Sequence, residues 1–520
     1  MKRILNLMLL SLLAGMASAQ DTYESVELAA GDLNGTARYV GMGGALSALG
    51  GDITTMGTNP AGIALFRHNE IALTVGGVFT AEKGQLGHDA SRMSFDQAGV
   101  VFTMDHSTTS GRGLQYVNFG VNYVKHRNHL ANLNVGSVGG LGAGDFSQTW
   151  QIANMANNAW NNSIADADWP KLGDIFAPTF TDGVCNNDGT LIFDDVNYPT
   201  APFRGVGASS ASYQSASYGS NSQFDFNLSF NVSNQFFWGL SLGVYSQNYK
   251  RQSFYAERGT DGNYYDILNW YDSKADGFDV KLGFICRPVE ESPFRFGISI
   301  NTPTWYTMDD VNGWSLVFNN NDKSKGGYIA ENSAEPFRYS YRTPWKFGFS
   351  LGHTIGRELA FGLEYELTDP SSARYFNDKW NRSAYFDYVN EKIKTSLKTQ
   401  HTLKVGVEYK IVPEFALRLG YNYVSSPIKS DAFRLLDYWY DTYATETAFV
   451  NWKGLNRITF GFGYRFKGGY FDLAYQYQSQ NGDFYAFDGD YTDAGKYYSL
   501  APTSVKNNRS QILGTLGFSF

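Results

Sequence analysis

The sequence predicts an all-β protein: a 14-stranded antiparallel transmembrane β-barrel with a small, partly helical N-terminal hatch inside its lumen. Three observations predict it. From residue 70 to the last residue, runs of about 9–11 residues alternate apolar and polar side chains, the length and period of a membrane strand. Tight turns and long loops alternate between these runs, as they do when the long loops all leave one end of a barrel. Aromatic residues make up 16% of the chain, with 35 Tyr, 38 Phe and 55 Gly but only 14 Pro. Beyond the N-terminus no segment approaches the ~20 apolar residues of a membrane helix.

The chain opens on an export signal. Lys2 and Arg3 precede an apolar run at residues 4–13, too short for a membrane span, and Ala17-Ser18-Ala19 forms a small-residue cleavage site. Residues 1–19 are the expected signal peptide, with no cysteine after them to carry a lipid. Residues 20–69 then form the hatch, and residues 70–520 the barrel with long extracellular loops. Cys185 falls in a loop and Cys286 in a strand, which excludes a disulfide framework and a four-cysteine metal site. The net charge of -8 argues against a nucleic-acid partner. Few charges and many aromatics argue against disorder.

The strands start near residues 70, 95, 113, 223, 236, 276, 293, 344, 357, 400, 413, 456, 469 and 510. The run at 457–466 is the clearest, with Ile458, Phe460, Phe462, Tyr464 and Phe466 on one face and Thr459, Gly461, Gly463 and Arg465 on the other. Connections after even-numbered strands are short, at Ser233-Asn234-Gln235, Gly356, Pro413-Glu414 and Lys467-Gly468. Those after odd-numbered strands span about 127–222, 251–274, 307–343, 369–398, 425–455 and 480–508. A water-soluble sandwich would have no reason to carry long loops at one end, and its outward face would be polar. Here one face is Phe, Leu, Tyr and Val, which suits lipid. The other holds Lys346, Glu364, Glu366, Lys404, Glu408, Lys410, Arg418 and Arg465, which suit a wet lumen and are expected to pair across it and hold the hatch. Phe518 and Phe520 end the last strand in the pattern that outer-membrane assembly machinery recognises.

The least strand-like mature stretch is residues 37–67, ARYVGMGGALSALGGDITTMGTNPAGIALFR. Gly41, Gly43, Gly44, Gly50 and Gly51 fit a segment packed where inward side chains of ~14 strands leave little room. Asn59-Pro60-Ala61 follows, with Pro60 fixing a turn. In the longest loop, Phe146 and Trp150, then Ile152, Met155 and Ala159, fall at helical spacing, and Trp160, Phe176 and Phe180 add apolar surface. This loop either captures a greasy ligand or packs on itself.

Other chemistry finds little support. His126 and His129 lack further nearby ligands and read as a solvent-facing pair. The stretch from Asp488 through Asp490 to Asp493 lacks the rest of a calcium loop. His353 reads as a turn residue and His401 as lipid-facing, no Gly-x-Ser-x-Gly elbow occurs, and no nucleophile–base pair can be placed. No enzyme activity, metal or cofactor is expected.

Together, the fourteen-strand pattern, the small-residue stretch at 41–51 and Asn59-Pro60-Ala61 just before the first strand resemble the FadL-type outer-membrane transporters of long-chain fatty acids and other hydrophobic compounds, including the toluene and xylene importers. The wording of residues 36–62 is most similar to members from Bacteroidetes. The resemblance implies an Asn-Pro-Ala hatch signature at residues 59–61, a plugged barrel in the outer membrane and passive uptake of a hydrophobic small molecule. It also implies a lateral exit beside a kinked third strand, for which Gly120 is the one residue that could allow a kink. A branch of the same superfamily implies the alternative, a non-transporting barrel subunit of an envelope protein secretion or assembly complex.

Overall fold

The computed structural model describes residues 21–106, 111–141, 147, 148, 151, 208–259, 264–319, 327–333, 336–434, 446–488, 490, 491, 497, 498 and 500–520. Its centre is one antiparallel sheet closed on itself. The strands are β1 Glu70–Thr80, β2 Ser91–Asp105, β3 Leu114–Asn128 continued by Ala131–Val135, β4 Ala208–Val232, β5 Phe236–Gly259, β6 Tyr264–Cys286, and β7 Arg295–Asn301 with Trp305–Asn319. Then come β8 Phe337–Arg342 with Lys346–Ile355, β9 Leu359–Thr368 with Arg374–Asn377, β10 Gln400–Val412, β11 Phe415–Val424, β12 Phe449–Phe466, β13 Gly469–Tyr485 and β14 Thr503–Ser519. Strand β14 runs antiparallel along β1, from Glu70↔Ser519 to Thr80↔Arg509, and closes the 14-stranded barrel. The 19 segments of the sheet reduce to these strands because β3, β7, β8 and β9 are each interrupted once and Gly327–Ser333 folds back on β7. Pro303, Pro344 and Pro370 sit at the breaks in β7, β8 and β9, where a residue without an N–H cannot continue the ladder.

The strands lie where the alternation predicts, but several are longer. The expected loop at 251–274 is mostly strand: β5 runs to Gly259 and β6 starts at Tyr264. Likewise β4 begins at Ala208 inside the expected loop 127–222, and β7 extends into the expected loop 307–343. The reason is where the lipid belt ends. Trp238, Leu240, Leu242 and Val244 face outward on β5, and Ser246 and Asn248 continue the same exposed face. Past the belt the outer face meets water, so the apolar signal stops while the ladder goes on. The connection at 369–398 carries a helix, Ala384–Ser396, which buries Tyr385, Phe386, Val389 and Ile393. His353 lies within β8, three residues before the turn at Gly356, and not in the turn.

The large outward side chains of the belt, Phe460 at 53% exposure among them, have no protein neighbour to cover them, which only a lipid surround satisfies. Inside the barrel lies the N-terminal segment. It contains α1 Thr22–Ala29, α2 Ala37–Gly41 and two 3-10 turns, Ile53–Gly57 and Pro60–Leu65. Helices this short are marginal alone. Each starts on a cap: Asp21 accepts from the Glu24 N–H, Thr36 from Tyr39, Asp52 from Thr54 and Asn59 from Ala61. Packing supplies the rest. Val40, Met42, Leu46, Ile53, Met56 and Ile63 are fully buried.

Candidate functional site

The hatch is held at three seats on the barrel wall. The first is a row of glycines at one level across four neighbouring strands: Gly352 pairs with Gly362, Gly362 with Gly406, and Gly406 with Gly420. Hatch backbone lies directly on this row. A methyl group at Gly362 would fall 1.9 Å from the Ala45 carbonyl oxygen, one at Gly406 2.3 Å from that of Met42, and one at Gly420 2.2 Å from the Gly43 nitrogen. At one end Arg295 donates to the Leu49 carbonyl at 2.7 Å, and at the other Thr459 donates to that of Gly41 at 3.1 Å. A strand glycine whose missing side chain admits another backbone explains why this row is bare.

Asn59-Pro60-Ala61 occupies the second seat. Gly239 and Gly283 are paired on β5 and β6, and a methyl at either would fall within 2.2 Å of Pro60 or Asn59 atoms. The Asn59 side chain accepts from the Ala61 N–H at 3.2 Å, and Pro60 takes the first position of the turn, where a missing N–H costs nothing. The third seat is Gly120 on β3, which receives the Met56 side chain. Gly120 is therefore a socket for the hatch, and the pairing of β3 runs through it without a register shift.

Four of the five hatch glycines singled out from sequence, Gly43, Gly44, Gly50 and Gly51, have positive φ. Gly41 instead meets Gly461 across the wall. Gly51 is exposed with nothing packed on it, so its need is conformational and not one of space.

The lumen charges pair along the wall, between strands one or two places apart, and not across the lumen. Lys404 meets Glu364 at 2.6 Å and Glu366 at 3.7 Å, and Arg418 meets both Glu408 and Asp472 at 2.6 Å. Only here does the expected grip on the hatch occur among those residues: Arg38 of α2 joins Glu408 at 3.1 Å. Lys410 and Arg465 stand at the turn end, outside these clusters. A further buried group, missed from sequence, joins Lys281 to Asp279 at 2.5 Å and Asp225 at 3.1 Å.

The stronger ionic grip comes from the first hatch residues. Asp21 pairs with Arg434, Glu27 with Arg127 at 2.6 Å, and Asp32 with Arg509 at 2.8 Å, while Glu24 lies 3.7 Å from Arg251. Burial pushes the Glu24 carboxyl up to about 8, against the pull of Arg251. Burial also acts on Glu27, but Arg127 and His129 override it and hold that carboxyl down to about 2. His129 is buried and bonds Glu27 at 3.2 Å, and His126 lies inside against Gly31 and Tyr245. The solvent-facing histidine pair of the sequence reading is therefore corrected: the β3 extension carries both into the lumen.

Above the hatch, on the loop side, is a cavity of about 430 Å³. Val26 and Leu33 of the hatch, Val124, Leu130 and Leu133 of the β3 region, Ile428 and Phe449 give it apolar walls. Eight Lys and Arg side chains line it against four carboxylates, Glu24, Glu27, Asp32 and Glu366. Asp21 and Glu364 pair with two of the eight from outside the cavity. Arg457 is held by the neutral Asn422 and Gln478 side chains, with Asp32 no nearer than 4.0 Å, and Lys346 reaches the cavity from just past the Pro344 break in β8.

Beside this cavity the wall parts. β2 and β3 pair from Asp105↔Tyr116 to Gln97↔Val124 and no further. Beyond that point β2 stays paired to β1, and β3 to β4. The register of β3 slips between Lys125 and Arg127, at the seam itself.

Of the remaining predicted residues, Phe518 and Phe520 face outward at the turn end. Phe146, Trp150, Ile152, Met155, Trp160, Phe176 and Phe180 lie outside the described residues, as does the export signal at 1–19. Sequence reasoning missed α1, Asp32, Asn34 and Asp96. For α1, Asp32 and Asn34 the only sequence signal was an acidic, amphipathic stretch after the cleavage site, and for Asp96 there was none.

No protein-family model matches the sequence, and no curated protein sequence matches it. Solved structures do. A FadL homologue from Pseudomonas aeruginosa aligns over 94% of this chain and 100% of its own at 13% identity, with a TM-score of 0.50. The P. putida toluene transporter TodX aligns over 94% and 99% at 12% identity and a TM-score of 0.48. The CymD monoaromatic hydrocarbon channel gives 94% and 99%, 11% and 0.45. The protein is thus a plugged β-barrel of the outer-membrane type. More particularly, its fold is that of the FadL homologues.

Two outcomes test this description. Gly362→Val should lift the hatch from its row and raise the conductance of the reconstituted protein, at a folding cost of about 1–3 kcal/mol. Gly514→Ala, whose added methyl finds its nearest neighbour at 3.6 Å, should leave conductance unchanged. The second concerns pH. A carboxyl with a raised folded pKa favours the fold while protonated, so the Glu24 contribution declines above its ordinary 4.5 and is gone above about 8. Glu27 runs the other way and loses its contribution only as pH falls toward about 2. Hydrogen exchange of α1, corrected for intrinsic rates, should therefore be faster at pH 9 than at pH 6. Glu24→Gln should abolish the difference.

Proposed function

We propose that the protein carries out passive uptake of hydrophobic small molecules across the outer membrane, and that long-chain fatty acids are the preferred cargo. The observation that carries this reading is the cavity on the hatch. Its volume of about 430 Å³ falls in the range of small-molecule sites, roughly 300–1,000 Å³. It combines apolar walls with an excess of cations, which favours a molecule with an apolar body and an anionic head over a neutral hydrocarbon. Lys346 and Arg457 reach the cavity with no carboxylate nearer than 4.0 Å among the described residues and would take the head group. The likeness in fold to a FadL homologue supports the class.

In this reading the ligand reaches the cavity from the loop side, its carboxylate settles against Lys346 and Arg457, and its chain lies along Val124 and Leu130. It leaves where β2 and β3 part, moving from a protein cavity into lipid without crossing water. Transfer of an alkyl chain from water into hydrocarbon is favourable by about 0.8 kcal/mol per buried CH₂, so the whole passage from outside into lipid needs no energy coupling.

The test is uptake into vesicles carrying the purified protein. The double variant Lys346→Met with Arg457→Met should cut palmitate uptake several-fold and leave toluene uptake unchanged. An equal loss for both, or none for either, would overturn the fatty-acid assignment. Absence of any uptake by the unaltered protein, together with a stoichiometric protein partner after gentle purification, would favour an envelope-complex subunit.

A further inference from the structure

We infer that Asn34 is the latch of the lateral seam: the hatch itself completes the wall where β2 and β3 part, so seating of the hatch and closure of the seam are one event. This rests on the transport reading for its purpose but not for its geometry.

Strand β3 leaves β2 above Gln97↔Val124, and its backbone groups there would otherwise face the seam unpaired. The hatch takes them. The Asp32 N–H donates to the His126 carbonyl at 2.9 Å, and the Asp32 carboxylate accepts from the Asn128 N–H at 2.9 Å. The Asn34 amide nitrogen donates to the Lys125 carbonyl at 2.9 Å and, across the seam, to the Asp96 carboxylate on β2 at 3.0 Å. Its oxygen accepts from Gln511 on β14 at 3.2 Å. One buried side chain thus ties three strands, β14, β2 and β3, and uses both hydrogens of its amide to bridge the parted pair. A hatch needing only an anchor would be served by either wall alone. Bonding to both edges makes the amide the rung that β2 and β3 lack.

The arrangement has a consequence for order of events. Withdrawal of residues 32–34 from β3 removes the Asp96 bridge in the same movement. The glycine row and the Asn59 seat lie on β5 to β12, away from the seam, and the Met56 socket at Gly120 lies on the stretch of β3 that stays paired to β2, so none of the three seats need move.

The experiment labels Lys125→Cys with a fluorophore in the full-length protein in vesicles, and measures quenching by lipids with nitroxide-labelled acyl chains. Asn34→Ala should raise quenching at least two-fold. Asp96→Ala, which cuts the bridge from the barrel side and leaves the hatch sequence intact, should do the same, so a folding failure of one variant does not leave the idea without a test. Both are compared as barrels that keep heat-modifiable migration on gels. Unchanged quenching in both variants overturns the latch. Increased conductance to hydrophilic solutes in Asn34→Ala also overturns it, because Asn34 would then be an anchor of the whole hatch. Increased quenching with no palmitate or toluene uptake by any form leaves the latch standing and removes the transport reading.

Discussion

The structure depends on one close approach: hatch backbone against bare barrel backbone. A barrel of about fourteen strands encloses a lumen too wide for its own inward side chains to fill. It must be left wet or be filled by something else. Here Gly352, Gly362, Gly406 and Gly420 remove side chains along one level of the wall, and residues 41–49 lie on the ledge. Because backbone meets backbone there, the fit cannot be relaxed by a rotamer change. This makes the hatch position discrete, and it fixes where the cavity above it begins.

The charges follow from that filling. Where the hatch excludes water from the lumen, a lone Lys or Arg on the inner face would be costly, and most of those packed against it are compensated by carboxylates close by. Lys281 with Asp225 and Asp279, and Arg418 with Glu408 and Asp472, are compensated within the wall. They would persist if the hatch moved. The cations facing α1 differ, because Arg127, Arg434 and Arg509 find their carboxylates on the hatch. Moving the first hatch residues strands those arginines unless an anion replaces the lost carboxylates. In the proposed function, the anionic head group of the cargo would fill that role.

The fold was legible in the sequence because a membrane strand has to alternate: lipid on one side and a polar lumen on the other leave a period of two in residues such as 457–466. The upper parts of β4, β5 and β6 were not legible, since Ser246 and Asn248 continue an outer face that meets water and no longer needs to be greasy. Asn59-Pro60-Ala61 was visible as a motif. Its seat was not, because Gly239 and Gly283 lie far along the chain and a glycine does not announce what approaches it. Asn34 was invisible for the same reason. Its partners Asp96, Lys125 and Gln511 are 62, 91 and 477 residues away.

That separation explains how one short segment can serve two ends. The hatch is rigid where it sits on glycine, because steric fit leaves no alternative position. At residues 32–34 it is held by hydrogen bonds and ion pairs, each net worth only about 0.5–3 kcal/mol and each replaceable by water, lipid head groups or a ligand. A segment fixed at one end and exchangeable at the other pivots without leaving the barrel. In the latch proposal the plug stays in the lumen and bars hydrophilic solutes while its first residues release the seam. Such a division suits passage of hydrophobic molecules sideways into lipid, and it would be of no use to an open water-filled pore.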